Sequence, residues 1–159
     1  MKRLFFAFVL IMSADICMAQ LPKHAIGLRL GGGDGFGPEI SYQYGLNHIN
    51  RMEFDFGMYT TRNYAAWGLA GIYQWVWNID QNFNWYAGAG GRIGSLSWDH
   101  HYTGTDTDGV FISAAGNIGI EYSFPVGVQL SLDARPELGL ISRGDSFNNT
   151  IAISVRYQF

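Results

Sequence analysis

The densest group of side chains able to do chemistry is "SWDHHYTGTDTDG" at 97–109. His100 and His101 are imidazoles of the kind that bind transition metals. Asp99, Asp106 and Asp108 are oxygen donors of the kind that bind calcium. The spacing argues against both. Adjacent histidines on a loop rarely build a site unaided, and "TDTDG" lacks the downstream Glu of a calcium loop. A solvated loop is the expectation, with no metal and no cofactor, and Trp98, Asp99, His100, His101 and Tyr102 form its candidate contact surface. A second stretch, "GGGDGFG" at 31–37, has the glycines of a phosphate cradle. No GK[ST] follows, no GxGxxG register fits and no helix opens after it. It reads as a hairpin loop.

A third set is spread along the chain. Arg29, Glu39, Arg51, Glu53, Asp55, Arg92, Glu121, Asp133, Arg135, Glu137 and Arg156 recur in step with a two-residue period. What they could do depends on the elements that hold them. Alternation of apolar and small or polar residues recurs about eight times, the signature of strands. The strand cores are 24–32, 38–46, 50–60, 65–78, 84–94, 109–123, 127–137 and 149–159. Connections near 46–50, 79–83 and 123–127 are short. Those near 33–37, 61–64, 95–108 and 138–148 are longer on average and more polar. Such alternation of turns and loops describes an up-and-down meander.

The front of the chain sets the compartment. "MKRLFFAFVLIMSADICMAQ" has a basic start, an apolar run and small residues at a cleavage site. Residues 1–19 are expected to be a secretory signal peptide, because the apolar run is shorter than the roughly 20 residues that span a bilayer. Residues 20–159 then form one domain. It holds eight basic and twelve acidic residues, a net of −4, and no cysteine. No basic footprint for nucleic acid is present, and no disulfide can form. Lys23 is its one lysine, an unusual surface for a soluble domain.

One face of every strand is apolar; the other carries the eleven charges among Gly, Ala, Ser, Asn and Gln. A soluble barrel would put the apolar face inside and a membrane barrel outside. Three features favour the membrane. Tyr44, Trp75, Trp77, Trp85, Tyr122, Phe124, Tyr157 and Phe159 flank the short turns or the end of the chain, as an interfacial girdle would. The charged face is nearly balanced and suits a narrow interior, where arginine pairs in a planar fork. Closure of eight strands leaves no edge for lipid to meet. The fold expected is all-β: an eight-stranded antiparallel up-and-down transmembrane barrel.

A signal peptide, eight alternating strands and the final "VRYQF" resemble the small outer-membrane β-barrel proteins of Gram-negative bacteria, the OmpA/OmpX-type transmembrane domain. "WGLAGIYQWVWNI" and "NWYAGAGGRIG" are similar to outer-membrane barrels of Bacteroidetes. The resemblance implies residence in the outer membrane among lipid and lipopolysaccharide. It also implies insertion by the barrel assembly machinery, which would read Phe159. Some barrels of this size act on lipid A through His, Ser and an acid. The deacylase His-x-Ser pattern does not occur here, and His24 and His48 fall at the turn end, so no catalytic residue is expected. Arg29, Glu53, Asp55, Arg92, Glu121, Asp133, Arg135, Glu137 and Arg156 are expected to pair and plug the bore. Asp55, Asp133, Arg135 and Arg29 should lie at one height, with Arg156, Arg29 and Glu121 supplying further partners. The function expected is a monomeric scaffold displaying its loops, 95–108 foremost. The alternatives are a narrow small-solute channel and a lipid A-modifying enzyme.

Overall fold

A computed structural model describes residues 21–33, 37–60, 64–98, 109–141 and 147–159. The expected signal segment 1–19 and four members of the expected contact loop, Asp99 to Tyr102, lie outside the described residues. Eight strands run in chain order: β1 His24–Gly33, β2 Pro38–Gly45, β3 Asn50–Thr60, β4 Tyr64–Asp80, β5 Phe83–Trp98, β6 Gly109–Ser123, β7 Val128–Ile141 and β8 Phe147–Gln158. Each pairs antiparallel with its neighbour in sequence. β8 returns to β1, so the sheet is a closed barrel. Lipid offers no hydrogen bonds to an open sheet edge, and closure removes the edge.

Several strands run further than their side-chain pattern indicated. Residues 95–98 are strand, because the ladder continues from Trp67↔Ser95 to Tyr64↔Trp98. Trp98 is therefore the last residue of β5 and not a loop residue. β7 likewise continues to Ile141, and β8 begins at Phe147. A ladder is made by backbone groups, so it can outlast an apolar rhythm broken by serines or by Pro136. Pro136 has no N–H to give, and β6 and β7 show no paired positions between Ala115↔Glu137 and Ile118↔Ala134. Gly116 faces this gap: a Cβ there would stand 3.3 Å from the proline ring.

All three short turns lie at one end of the barrel. At the first, Asn47 Oδ1 accepts from the N–H groups of Ile49 and Asn50 at 2.9 and 2.8 Å. The second is only Gln81-Asn82, closed by Asn78 Nδ2 donating to the Asp80 carbonyl at 2.7 Å. The third combines Pro125 with Gly127 at φ +82°. Gly127 N–H donates to the Phe124 carbonyl, and Phe124 N–H to that of Val128, at 3.0 and 2.7 Å. Proline pre-sets the turn, and glycine takes the left-handed position that any Cβ would strain.

The apolar face points outward. Ile26, Leu28, Leu30, Ile40, Phe54, Phe56, Leu69, Ile118, Leu130, Leu132, Ile151, Ile153 and Val155 are all exposed on the outer wall. The aromatic residues named from the sequence are exposed at the turn end. Trp77 and Trp85 stack across β4 and β5 with centroids 4.3 Å apart, and Tyr122 meets Phe124 edge-on at 4.8 Å. The end of β8 is anchored on both sides. Phe159 and His24 exchange backbone hydrogen bonds at 2.9 and 3.2 Å. The Phe159 ring stacks on His24 at 5.5 Å, while His24 Nδ1 and the Tyr42 hydroxyl share a 2.8 Å hydrogen bond.

Candidate functional site

The bore is where charge collects. The five arginines and six carboxylates of the polar face are all buried inside the barrel. They reach it because a strand alternates its side chains: Arg29, Glu39, Glu53, Asp55, Asp133, Arg135 and Arg156 sit at in-facing positions of β1, β2, β3, β7 and β8. Moving charges out of water costs several kcal/mol per ion unless each finds a partner with good geometry.

Each does find one. Asp133 takes both Nε and Nη2 of Arg29, the latter at 2.5 Å, across 104 residues of sequence. Arg135 Nη2 bonds Asp55 on the facing strand. The four residues expected at one height thus form two pairs. Glu39 is the hub: it accepts Arg29 at 2.8 Å, Arg92 at 2.6 Å and Arg135 at 3.4 Å. Arg92 also holds Glu137 at 3.1 Å. Glu53 joins Arg156 at 3.0 Å and Arg135 at 3.4 Å, and takes a 2.7 Å bond from Gln43. Arg156 spends its remaining donors on Ser41 and Ser131, both at 2.8 Å.

Nearer the turn end, Arg51 pairs with Glu121 at 2.7 Å and lies 4.8 Å from the centre of the Tyr86 ring. Asn84 donates to Glu121 at 3.1 Å. Amides join the two tiers: Arg51 donates to Gln74, Gln74 to Asn117, and Asn117 to Asp133, at 2.6, 2.7 and 3.3 Å. Eleven charges on seven strands thereby form one hydrogen-bonded body.

This geometry corrects the expected partners. Glu121 serves Arg51 and not Arg135. Arg156 serves Glu53 and not Asp133. Glu39 and Arg51 belong to the network that the sequence reading confined to nine other residues. Their in-facing positions were legible, but the strand tilt that brings Glu39 under three guanidinium groups was not. The bore also has an apolar side. Ile72, Val76 and Tyr86 of β4 and β5 are buried within it. Glycine makes the room: a Cβ on Gly119 would stand 2.6 Å from the Tyr86 hydroxyl, and one on Gly68 would stand 2.9 Å from Arg92 Nε.

Buried Gln129 presents both amide atoms, and Ser154 its hydroxyl, without a protein partner. Such atoms are satisfied by internal water. His48 is exposed in the first turn, and His24 is held by Tyr42 and Phe159. Ser95 and Ser97 lie on β5, whereas Asp99 and His100 are outside the described residues. Among the described residues, no three His, Cys, Asp or Glu side chains are grouped to hold a metal ion.

No protein-family model matches the chain, and no curated protein matches it in sequence. Solved structures match it in shape. The N-terminal β-barrel domain of Pseudomonas aeruginosa OprF superposes with a TM-score of 0.68 at 12% identity, over 87% of this chain and 100% of that one. Neisserial surface protein A gives 0.62 at 17% identity, over 86% and 94%. Ail, the attachment invasion locus protein of Yersinia pestis, gives 0.56 at 15% identity, over 86% and 96%. Ail has also been solved in complex with the heparin analogue sucrose octasulfate. At these identities the likeness is one of fold: the chain is an eight-stranded β-barrel of the outer-membrane type.

Proposed function

We propose that the protein is a non-conducting scaffold of the bacterial outer membrane that holds its connecting loops at the cell surface. The bore carries this reading. Eight strands leave an interior just wide enough for side chains. Here that interior is filled by arginines and carboxylates bonded to one another. What remains for interaction is the outer wall, against lipid and lipopolysaccharide, and the loop end. In this reading the working state is a monomer inserted by the barrel assembly machinery. Ail, of the same fold, has been solved with a sulfated saccharide analogue. That supports a search for an extracellular ligand at the 95–108 segment, with Trp98, Asp99, His100, His101 and Tyr102 as first candidates.

Planar-bilayer recording of the purified protein tests the plug. Little or no stepwise conductance is expected. Large, reproducible, ion-selective steps would overturn the reading and make a narrow small-solute channel the better one, with the same charges lining its path. Lipid A mass spectra from cells with and without the protein should coincide. A change in acyl content would replace the scaffold by a lipid A-modifying enzyme. A photocrosslinker at Tyr102 on intact cells should capture a surface molecule that the same probe at Asn82 does not.

A further inference from the structure

The turn end of the barrel does not finish where its aromatic residues do. On β2 the outward row runs Ile40, Tyr42, Tyr44 and then Leu46, which is 47% exposed at the start of the first turn. On β4 it runs Tyr73, Trp75, Trp77 and then Ile79, 57% exposed. On β6 it runs Ile118, Ile120, Tyr122, Phe124 and then Val126, 73% exposed at the tip of the third turn. Ile49, in the first turn, is also exposed. Each turn thus carries aliphatic surface one step beyond the last aromatic residue of its row. A strand advances about 3.3 Å per residue, so Ile79 sits up to about 7 Å beyond Trp77 along its strand.

Interfacial aromatics mark the boundary of the hydrocarbon, and a turn that leaves the membrane beyond them is ordinarily polar. Aliphatic tips stirred in water would gain nothing. The polar groups of the same turns point to poorly hydrated surroundings as well, because they satisfy one another. Asn47 Oδ1 takes two backbone N–H groups. Asn78 Nδ2 donates to Asp80 O and to Asn84 Oδ1 at 2.7 and 2.8 Å. Asp80 Oδ1 takes the Gln81 N–H at 2.8 Å. Phe124, Val128 and Gly127 close the third turn through their own backbone. Among residues 46–49, 79–82 and 124–127, at and beside the turns, Asp80 alone is charged.

We infer that the turn end is seated in the lipid leaflet rather than projecting from it: Leu46, Ile79 and Val126 lie at the level of the glycerol and upper acyl groups of phospholipid. The polar tips, Asn47, His48, Gln81 and Asn82, lie among the headgroups. The occupant of this surface is therefore phospholipid. The surface continues the lipid-facing wall without a polar break on three strands, so the inference rests on the membrane reading of that wall.

Single spin labels measure this depth. Leu46→Cys, Ile79→Cys, Val126→Cys and, as a mid-wall reference, Ile153→Cys are each made with Cys17→Ser. Ile153 lies two outward positions from Tyr157 and pairs with Leu30 and Leu132. The chain is reconstituted in phosphatidylethanolamine–phosphatidylglycerol nanodiscs. Collision with lipid-soluble oxygen is compared with collision with a water-soluble nickel chelate, and free label in buffer sets the aqueous limit. Oxygen accessibility should exceed nickel accessibility at 46, 79 and 126, with nickel accessibility lost nearly as completely as at 153. Nickel accessibility at 46, 79 and 126 equal to that of free label, with 153 still protected, would overturn the seating and leave the wall intact. Nickel accessibility at 153 as well would overturn the membrane reading on which the seating depends.

Discussion

Glu39 accepts from three arginines, whereas Glu137, among the described residues, accepts from Arg92. Neutralising each should therefore have different consequences. Glu39→Gln leaves three buried guanidinium groups short of charge and should lower the urea midpoint in lipid vesicles more than Glu137→Gln does. Removing one partner of a fully buried pair costs about 3–5 kcal/mol, less where water enters. Arg135 has three carboxylate partners and is wholly buried. Arg135→Ala should approach that range, while Arg62→Ala, in the 61–63 connection, should change stability little. Equal effects at 62 and 135 would mean that the bore is hydrated enough to screen its own charges. Gly127 is a residue-scale case of a different kind. Its φ of +82° makes Gly127→Ala cost about 1–2 kcal/mol through backbone strain, a loss visible in the same unfolding measurement.

At the scale of the strand, sidedness governs the outcome. Phe54 and Asp55 are neighbours on β3, yet one faces outward and the other into the bore. Phe54→Arg or Ile153→Arg puts charge against hydrocarbon and should destabilise by roughly 2–4 kcal/mol near mid-membrane. Asp55→Asn keeps a side chain of the same shape inside and should leave insertion intact. Normal folding of both arginine variants, together with solubility without detergent, would mean that the apolar wall does not face lipid. The β8–β1 seam is held at its base by the backbone exchange and ring stacking between His24 and Phe159. Deleting Phe159 removes both, and the expected result is less protein in the outer membrane and more degraded before insertion. His24→Ala keeps the Phe159 backbone bonds while losing the stack and the Tyr42 bond. It should assemble but unfold at lower urea. Full assembly of the deletion mutant would show that this contact is dispensable to closure.

At the scale of the molecule, closure couples the ends of the chain to its middle. The amides of Gln158 and Phe159 are bonded to Gly127 and His24, so hydrogen exchange there should be as slow as in β4 and β5 if the ring opens as one unit. Fast exchange confined to β8 would mean that the seam opens on its own. Sidedness was legible in the sequence because a strand alternates with a period of two and one slip would put charges into lipid. All eleven charges, from Arg29 to Arg156, and the turn-end aromatics therefore read directly from the order of residues. Strand ends were less legible. Backbone hydrogen bonds carry β5 through Ser95, Leu96 and Ser97 to Trp98 whatever the side chains. Partners were the least legible. Arg29 meets Asp133 across 104 residues, Arg51 meets Glu121 across 70, and Glu39 gathers arginines from β1, β5 and β7. The sequence by itself determined which residues enter the bore. Only the closed barrel decided which of them touch, because tilt and shear set the heights at which side chains from distant strands meet across a shared interior.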